Sequence, residues 1–368
     1  MKFLVIVFSL VLVSTVPVVS SAPVKHKSLD RKRWTLTESP NFRIVSDAKP
    51  KQVMKVAEQL ERFRAFSVLL MGIDSAVSED KSQLIITKTR GTWRALGLPN
   101  DFVSYTQPFQ GRGANIFADI DGFTGTSLKK SNTGRAVVFH SLGLALLIDL
   151  GLRDKLPLWY FKGFAHYLSG YAEPKNVITI GSLEAMRGRL QGLFSHDGHF
   201  KNINVVSLMS RTSYTSRVSG KELSRKQRLK IDAEAFVMVH YFYGDPLRQK
   251  QLSTYIESRN SGKDIEMRIF EAFEMNPKEL SIAISAYARS KMKVPAYDRG
   301  QIEKLLQLPA VESYQQSKLT SAEFWPIVYS SIVRLPNHIV SHAHKKELNE
   351  AVNQYLPKVE SLFDSPPN

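Results

Sequence analysis

Cysteine is absent from the 368-residue sequence. This absence excludes disulfides, thiolate metal sites, thiol catalysis and the cysteine-linked lipid anchor of exported bacterial proteins. The fold must therefore be held by buried apolar side chains and hydrogen bonds, for which a chain of this length is sufficient. Apolar residues make up 43% and charged residues 23% of the chain, a balance typical of a globular protein rather than a disordered one.

Long apolar runs are also absent after the N-terminus. There, Lys2 precedes an apolar run over residues 3–13, and small residues follow at Ser20 and Ala22. This pattern predicts a signal peptide over residues 1–22 and hence export to the periplasm or secretion. A retained membrane anchor is the alternative, but the run is short for a bilayer span and soon meets Pro17. We expect no transmembrane span in the mature chain.

Acidic residues are few relative to basic ones. The chain has 34 Asp and Glu against 50 Lys and Arg, a net charge of +16. The signal segment contributes only Lys2, so the mature chain keeps about +15. Such a surplus favours an acidic partner, either a protein or an anionic component of the cell envelope. No basic strip with interleaved aromatics is present, which argues against specific recognition of nucleic acid.

The hydrophobic periodicity predicts an α+β fold with several parts. Residues 23–33 are basic and poor in large apolar side chains, which predicts a flexible lead. After residue 33, apolar residues that recur every two positions predict strands at 41–46, 84–87 and 115–118. Apolar residues that recur every three to four positions predict a helix from Pro50 to Gly72. The remaining chain is divided into an N-terminal α/β part at 34–134, a helical core at 135–294 and a helical C-terminal extension at 295–368.

Two consecutive apolar segments carry the strongest functional signal. Residues 137–147 read V-V-F-H-S-L-G-L-A-L-L, and residues 156–169 read L-P-L-W-Y-F-K-G-F-A-H-Y-L-S. The pair resembles the active-site helices of the gluzincin metallopeptidases, and in particular the bacterial peptidase-MA-like families, many of which are domains of unknown function. There the first helix reads HE-x-x-H-A-L-L and the second L-P-x-W-x-x-E-G-x-A-E-Y. The resemblance extends over residues 34–292 and implies a zincin-like metallopeptidase core.

The same resemblance implies that the zinc site has degenerated. In that family two His and a downstream Glu bind zinc, and the Glu after the first His activates a water. Matched position by position, the first His is kept as His140, the general base is Ser141, the second His is Leu144, and the third ligand is Lys162. A later Glu of the second helix is His166. We therefore expect no zinc, no other cofactor and no metallopeptidase activity.

Several interpretations of these residues stay open. His140 is either a vestigial core histidine or a remaining ligand, and Lys162 either enters the former metal cavity or extends to solvent. His166 lies one turn beyond Lys162 on the same helical face. The leading prediction is a non-catalytic homologue that binds a partner. The alternatives are a hydrolase using His140, His166 and an acidic residue such as Glu234, or a structural envelope protein.

Other histidine pairs give weaker signals. His338 and His342 are spaced at i and i+4 with His344 nearby, a spacing that can bind a transition metal, but a solvated helix face is the preferred interpretation. His196 and His199 lie in a polar loop and are weaker still. A serine hydrolase is disfavoured because the chain has no G-x-S-x-G motif.

Overall fold

The structure is a computed structural model that describes most of the chain. The described residues are 26–73, 81–99, 104–108, 114–124, 132–194, 201–216, 220–290, 292–335 and 340–353. The predicted signal peptide at 1–22 lies outside these ranges, as do His196, His199 and His338.

The described residues form helices and strands that confirm the α+β class. The strands are β1 (Trp34–Glu38), β2 (Phe42–Ser46), β3 (Ser82–Thr87), β4 (Ser104–Pro108), β5 (Ala114–Asp119), β6 (Val177–Thr179), β7 (Ala296–Asp298) and β8 (Gln315–Leu319). The helices of the first half are α1 (His26–Asp30), α2 (Pro50–Met71), α3 (Arg90–Ala95), α4 (Asp121–Thr124), α5 (Asn132–Asp149), α6 (Leu158–Leu168) and α7 (Leu183–Leu190). Those of the second half are α8 (Val205–Met209), α9 (Arg225–Tyr243), α10 (Pro246–Glu257), α11 (Ile265–Phe273), α12 (Pro277–Arg289), α13 (Arg299–Leu305), α14 (Ser321–Ile332) and α15 (His342–Asn353).

A mixed six-stranded sheet organises the fold in the order β4-β5-β3-β2-β1-β8. Strands β2, β3 and β5 are parallel, and the outer pairs are antiparallel. One row of paired residues, Ile44, Leu84 and Ile116, belongs to the larger apolar core. The next row, starting at Val45 and Ile85, belongs to a second core on the opposite face. Parallel strands covered on both faces have near-continuous apolar runs, and the central residues 44–45, 84–86 and 116–118 of these strands are all apolar and buried.

The larger core lies between the sheet and the helices that carry the family resemblance. Helix α2 begins with Pro50 in its first turn and ends at Gly72, whose φ of 63° is the left-handed conformation that glycine adopts without strain. The site helices α5, α6 and α9 pack on one another beside it. At Gly163 in α6 a β-carbon would lie 2.4 Å from the carbonyl oxygen of Ala235 in α9. Only glycine permits α6 and α9 to cross this closely.

The second core joins the two ends of the chain. Trp34 stacks on Phe324 of α14 with ring centroids 4.2 Å apart, and Trp325 donates a 2.7 Å hydrogen bond to Asp30. The prediction of a flexible lead is wrong over His26–Asp30, because this helix buries Leu29 completely. The C-terminal region is helical as predicted, but it also supplies β7 and the edge strand β8. It is therefore part of the sheet fold and not a separate appendage.

Candidate functional site

Helices α5 and α6, whose sequences resemble the metallopeptidase helices, bring His140 and His166 together. Helices α5 and α6 approach closely at Gly143, where a β-carbon would meet the Cα of Ala165 at 3.3 Å. As a result the rings of His140 and His166 stack with centroids 4.1 Å apart and planes inclined by 21°. The family resemblance assigned His140 and His166 to one pair of helices, and the structure shows their side chains in direct contact.

A carboxylate and a phenol complete the cluster from elsewhere in the chain. The Nε2 atom of His166 lies 3.5 Å from Oδ2 of Asp232 on α9, and the Tyr214 hydroxyl donates a hydrogen bond to Oδ1 of Asp232. Burial favours the neutral form of Asp232, but the interactions with His166 and Tyr214 outweigh it and lower its pKa. Asp232 is therefore ionised at neutral pH and orients the His166 ring.

Burial keeps both imidazoles neutral. It lowers the pKa of His166 below the usual value, although the hydrogen bond and charge of Asp232 oppose that shift. The pKa of His140 is lowered further, by burial and by the nearby positive groups of Arg189 and Lys162. The His140 side chain is partly accessible, yet its Nε2 atom and Nδ1 of His166 are both buried without a hydrogen-bond partner in the part of the chain that the structure describes.

Lys162 faces the cluster from the same side of α6. Its Nζ lies 5.7 Å from the ring centroid of Phe161 and 5.8 Å from that of Tyr214. Burial lowers the pKa of the Lys162 ammonium, and the charge of Asp232 partly restores it. Of the two positions considered for Lys162, the structure favours the one at the site, with its side chain partly buried.

The remaining sequence candidates have other roles. Leu144 packs against the larger core, and Ser141 is buried in α5 with 6% exposure. Glu234 pairs with Lys230 at 3.4 Å, and burial raises the pKa of its carboxyl group. The acid beside His166 is thus Asp232, two residues before the one named from the sequence. The sequence carried no motif that pointed to Asp232, and the Tyr214 loop gave no signal either.

The donor set does not fit a zinc ion. The lone pairs of an imidazole lie in its ring plane, so two rings stacked face to face cannot direct them at one point between them. Lys162 adds a positive charge beside them. Across the described part of the chain, no three His, Asp or Glu side chains are grouped so as to hold a metal ion. Zinc loss itself stays a prediction for direct measurement.

The C-terminal histidines have a local structural role where they are described. His344 is buried near the start of α15, and its Nδ1 lies 3.0 Å from the Ser341 hydroxyl, which also accepts from the His344 amide. The pair of His338 with His342 cannot be placed, because His338 lies outside the described residues.

Two further observations bear on the class of protein. In the residues that the structure describes, every helix is too short or too polar to cross a bilayer. The resemblance to the metallopeptidases rests on the sequence pattern alone. No protein-family model matches the chain, and no curated protein matches it either.

Proposed function

We propose that the protein is an exported, non-catalytic homologue of a zinc metallopeptidase of the peptidase-MA-like type, acting in the periplasm or outside the cell by binding an acidic partner. Its basic surplus of +16 supplies the attraction for that partner. Its zincin-like core supplies a scaffold whose metal-binding positions now hold other residues.

Lys162 is the observation that carries the proposal. Its ammonium lies near the Tyr214 ring, whose hydroxyl contacts Asp232, at the position where the family has a zinc-binding Glu. A unit positive charge about 4 Å from a zinc ion, at an effective dielectric constant near 20, is repelled by roughly 8 kcal/mol. Leu144 offers no ligand atom at all, and Ser141 cannot act as a base near neutral pH.

Metal analysis tests the loss of the zinc site. The mature protein, purified without chelators, should contain far less than one zinc per chain by elemental analysis and should not cleave peptide substrates above background. His140→Ala serves as the control, since it removes the remaining family ligand. About one tightly bound zinc per chain that disappears in His140→Ala would overturn the proposal.

Restoration of the ligands tests the scaffold. Ser141→Glu, Leu144→His and Lys162→Glu together should create a zinc site, because helices α5 and α6 already fix the backbone positions. Without metal the triple variant should be less stable, since it buries polar groups, and added zinc should raise its melting temperature. The single variants should show little zinc response. A folded triple variant with no zinc-dependent shift would show that the two helices are not those of a zincin.

Binding to acidic polymers tests the partner class. Retention on a polyanion matrix should fall steeply as salt rises, because exposed charges are screened over about 10 Å at 0.1 M salt. Binding that persists unchanged at high salt would contradict a surface-charge mechanism. It would instead favour the alternative of a structural envelope protein, which would bind its partner through a shaped protein interface.

A hydrolase remains the second candidate, and one observation favours it. Asp232 lies beside His166, and Nδ1 of His166 has no hydrogen-bond partner within the described ranges, an arrangement that resembles the acid–base pair of many hydrolases. If it acts as a base, hydrolysis of an activated ester should be lost in both His166→Gln and Asp232→Asn but kept in Glu234→Gln. Equal background rates in all three variants would exclude this role.

A further inference from the structure

A cavity of about 710 Å³ opens beside Lys162. It is bounded by the start of α6, the residues after α8, the end of α10 and helix α11. Its charged lining is almost entirely of one sign. The five basic side chains are Arg153, Lys162, Arg211, Arg259 and Arg268, and the one acidic side chain is Asp154.

The described residues that line this cavity carry a net positive charge. None of the five forms a salt bridge with a described acidic residue. Arg259 donates to the carbonyl oxygen of Asp154 at 3.2 Å, and Arg211 donates to that of Thr215 at 3.1 Å. Such bonds position a guanidinium group but leave its charge and its other donors free.

Arg268 supplies the cavity with a buried hydrogen-bond donor, the Nε–H of its guanidinium group. Its guanidinium lies over the Tyr255 ring, 5.4 Å from the centroid, and its Nε is buried with no hydrogen-bond partner among the described residues. Buried N–H groups of cations are ordinarily matched by a hydrogen-bond acceptor, and a bound anion would supply one to Arg268. Tyr255, Arg259 and Arg268 all line this cavity, so the two guanidinium groups border one space.

Apolar side chains form the rest of the wall. Leu156, Leu158, Phe161, Met209 and Ile265 face the same space as the cations. A simple inorganic anion would leave this apolar surface in contact with water. A ligand with both an anionic group and a hydrocarbon part would cover both kinds of wall.

We propose that this cavity binds an amphipathic organic phosphate, with its phosphate group against the Arg259 and Arg268 guanidinium groups and its apolar part along the Phe161 wall. The planar fork of arginine matches phosphate oxygens, and several adjacent cations favour a dianion over a carboxylate. This inference rests on the proposed binding role and adds a ligand class to it. The same chemistry occurs in free alkyl phosphates and in anionic phospholipid head groups.

Calorimetric titration of the full mature chain tests the proposal with three soluble probes. Hexyl phosphate should bind with one-to-one stoichiometry, at least about tenfold more tightly than inorganic phosphate, which corresponds to ~1.4 kcal/mol. Hexyl glucoside, which lacks the charge, should not bind. Vesicles containing phosphatidic acid distinguish the source: retention that hexyl phosphate competes away indicates a lipid head group, and hexyl phosphate binding alone indicates a soluble ligand.

Charge-removing variants locate the site. Arg259→Gln and Arg268→Gln should each weaken hexyl phosphate binding by about tenfold or more. Arg225→Gln is the matched control, because Arg225 is exposed at the start of α9 and outside the cavity. Arg259 is exposed, so its variant should fold normally.

The outcome separates this inference from the proposed function. No saturable binding of hexyl phosphate at millimolar concentration, or equal weakening by Arg225→Gln, would overturn the cavity proposal. Zinc content, peptide cleavage and salt-dependent retention on polyanions would still stand or fall independently, since none of them requires Arg259 or Arg268.

Discussion

Lowering the pH from 7 to 5 should destabilise the fold by about 2 kcal/mol through His240 alone. His240 is completely buried on α9, where its Nδ1 lies 2.7 Å from the hydroxyl of Tyr287. Burial lowers the pKa of His240 from 6.5 to about 4. The unfolded chain therefore takes up a proton near pH 6.5, whereas the folded chain resists protonation until near pH 4.

The direction follows from proton linkage. Because the folded pKa of His240 is depressed, the unfolded state binds more protons as pH falls below 6.5, and stability decreases until the folded pKa is reached. A gap of this size changes the unfolding free energy by about 2 kcal/mol between pH 7 and pH 5. His140 and His166, whose pKa values burial also lowers, act in the same direction. Asp119 and Glu234 act oppositely, because burial raises the pKa of their carboxyl groups.

Comparing the unfolding free energies of the natural chain and the His240→Gln variant at two pH values isolates the contribution of His240. Urea unfolding followed by circular dichroism at pH 7 and pH 5 gives the pH effect for the natural chain and for His240→Gln. The variant is expected to be less stable at pH 7, and the gap between the two proteins should shrink by about 2 kcal/mol at pH 5. An unchanged gap between the two pH values would refute the assignment of His240 as a buried neutral imidazole.

Three further substitutions test the packing and charges around the site. Lys162→Met should raise the unfolding free energy by about 1–2 kcal/mol, because it removes a partly buried ammonium group that forms no salt bridge with a described residue. A lower melting temperature of the variant would mean that Lys162 has a stabilising partner. Asp232→Asn should lower the pKa of His166 further, as followed by NMR titration, and an upward shift would contradict the pairing. Gly163→Ala should destabilise the chain by roughly 3 kcal/mol or more because of the α9 backbone, whereas Gly134→Ala, in a helix with open space, should be neutral or stabilising in the same thermal unfolding assay.

The parts of the fold that could be predicted from sequence are those with a strong apolar period. Strands β2, β3 and β5 and helix α2 were predicted within a few residues because their buried side chains recur at strand or helix spacing. Strand β8 gave no such signal. Its residues Gln315–Leu319 are mostly exposed and polar, and their strand conformation comes from pairing with β1. Pairing with a distant segment is not encoded in the local pattern.

Some residues of the candidate site could be predicted from the sequence, and others could be found only from the tertiary structure. The family resemblance assigned His140, Lys162 and His166 to two paired helices, and helical spacing put Lys162 and His166 on one face of the second. Asp232 and Tyr214 come from a later helix and a loop, and only the close crossing of α6 and α9 brings them to His166. Glu234 was the acid suggested by the sequence, but its carboxylate pairs with Lys230. Which of two nearby acids faces a site depends on the rotation of the helix, which composition does not define.

The edge position of β8 also has a consequence for the order of folding. Gln316 bonds to Thr37 across 279 residues of sequence, so β1 cannot gain its outer neighbour until almost the whole chain has been made. Until then the outer edge of β1 offers unpaired backbone groups to any other strand, including one from a second copy of the chain. A truncated chain that ends before Gln315 should therefore self-associate through β1. During synthesis, binding of chaperones to the nascent chain should end when β8 joins the sheet.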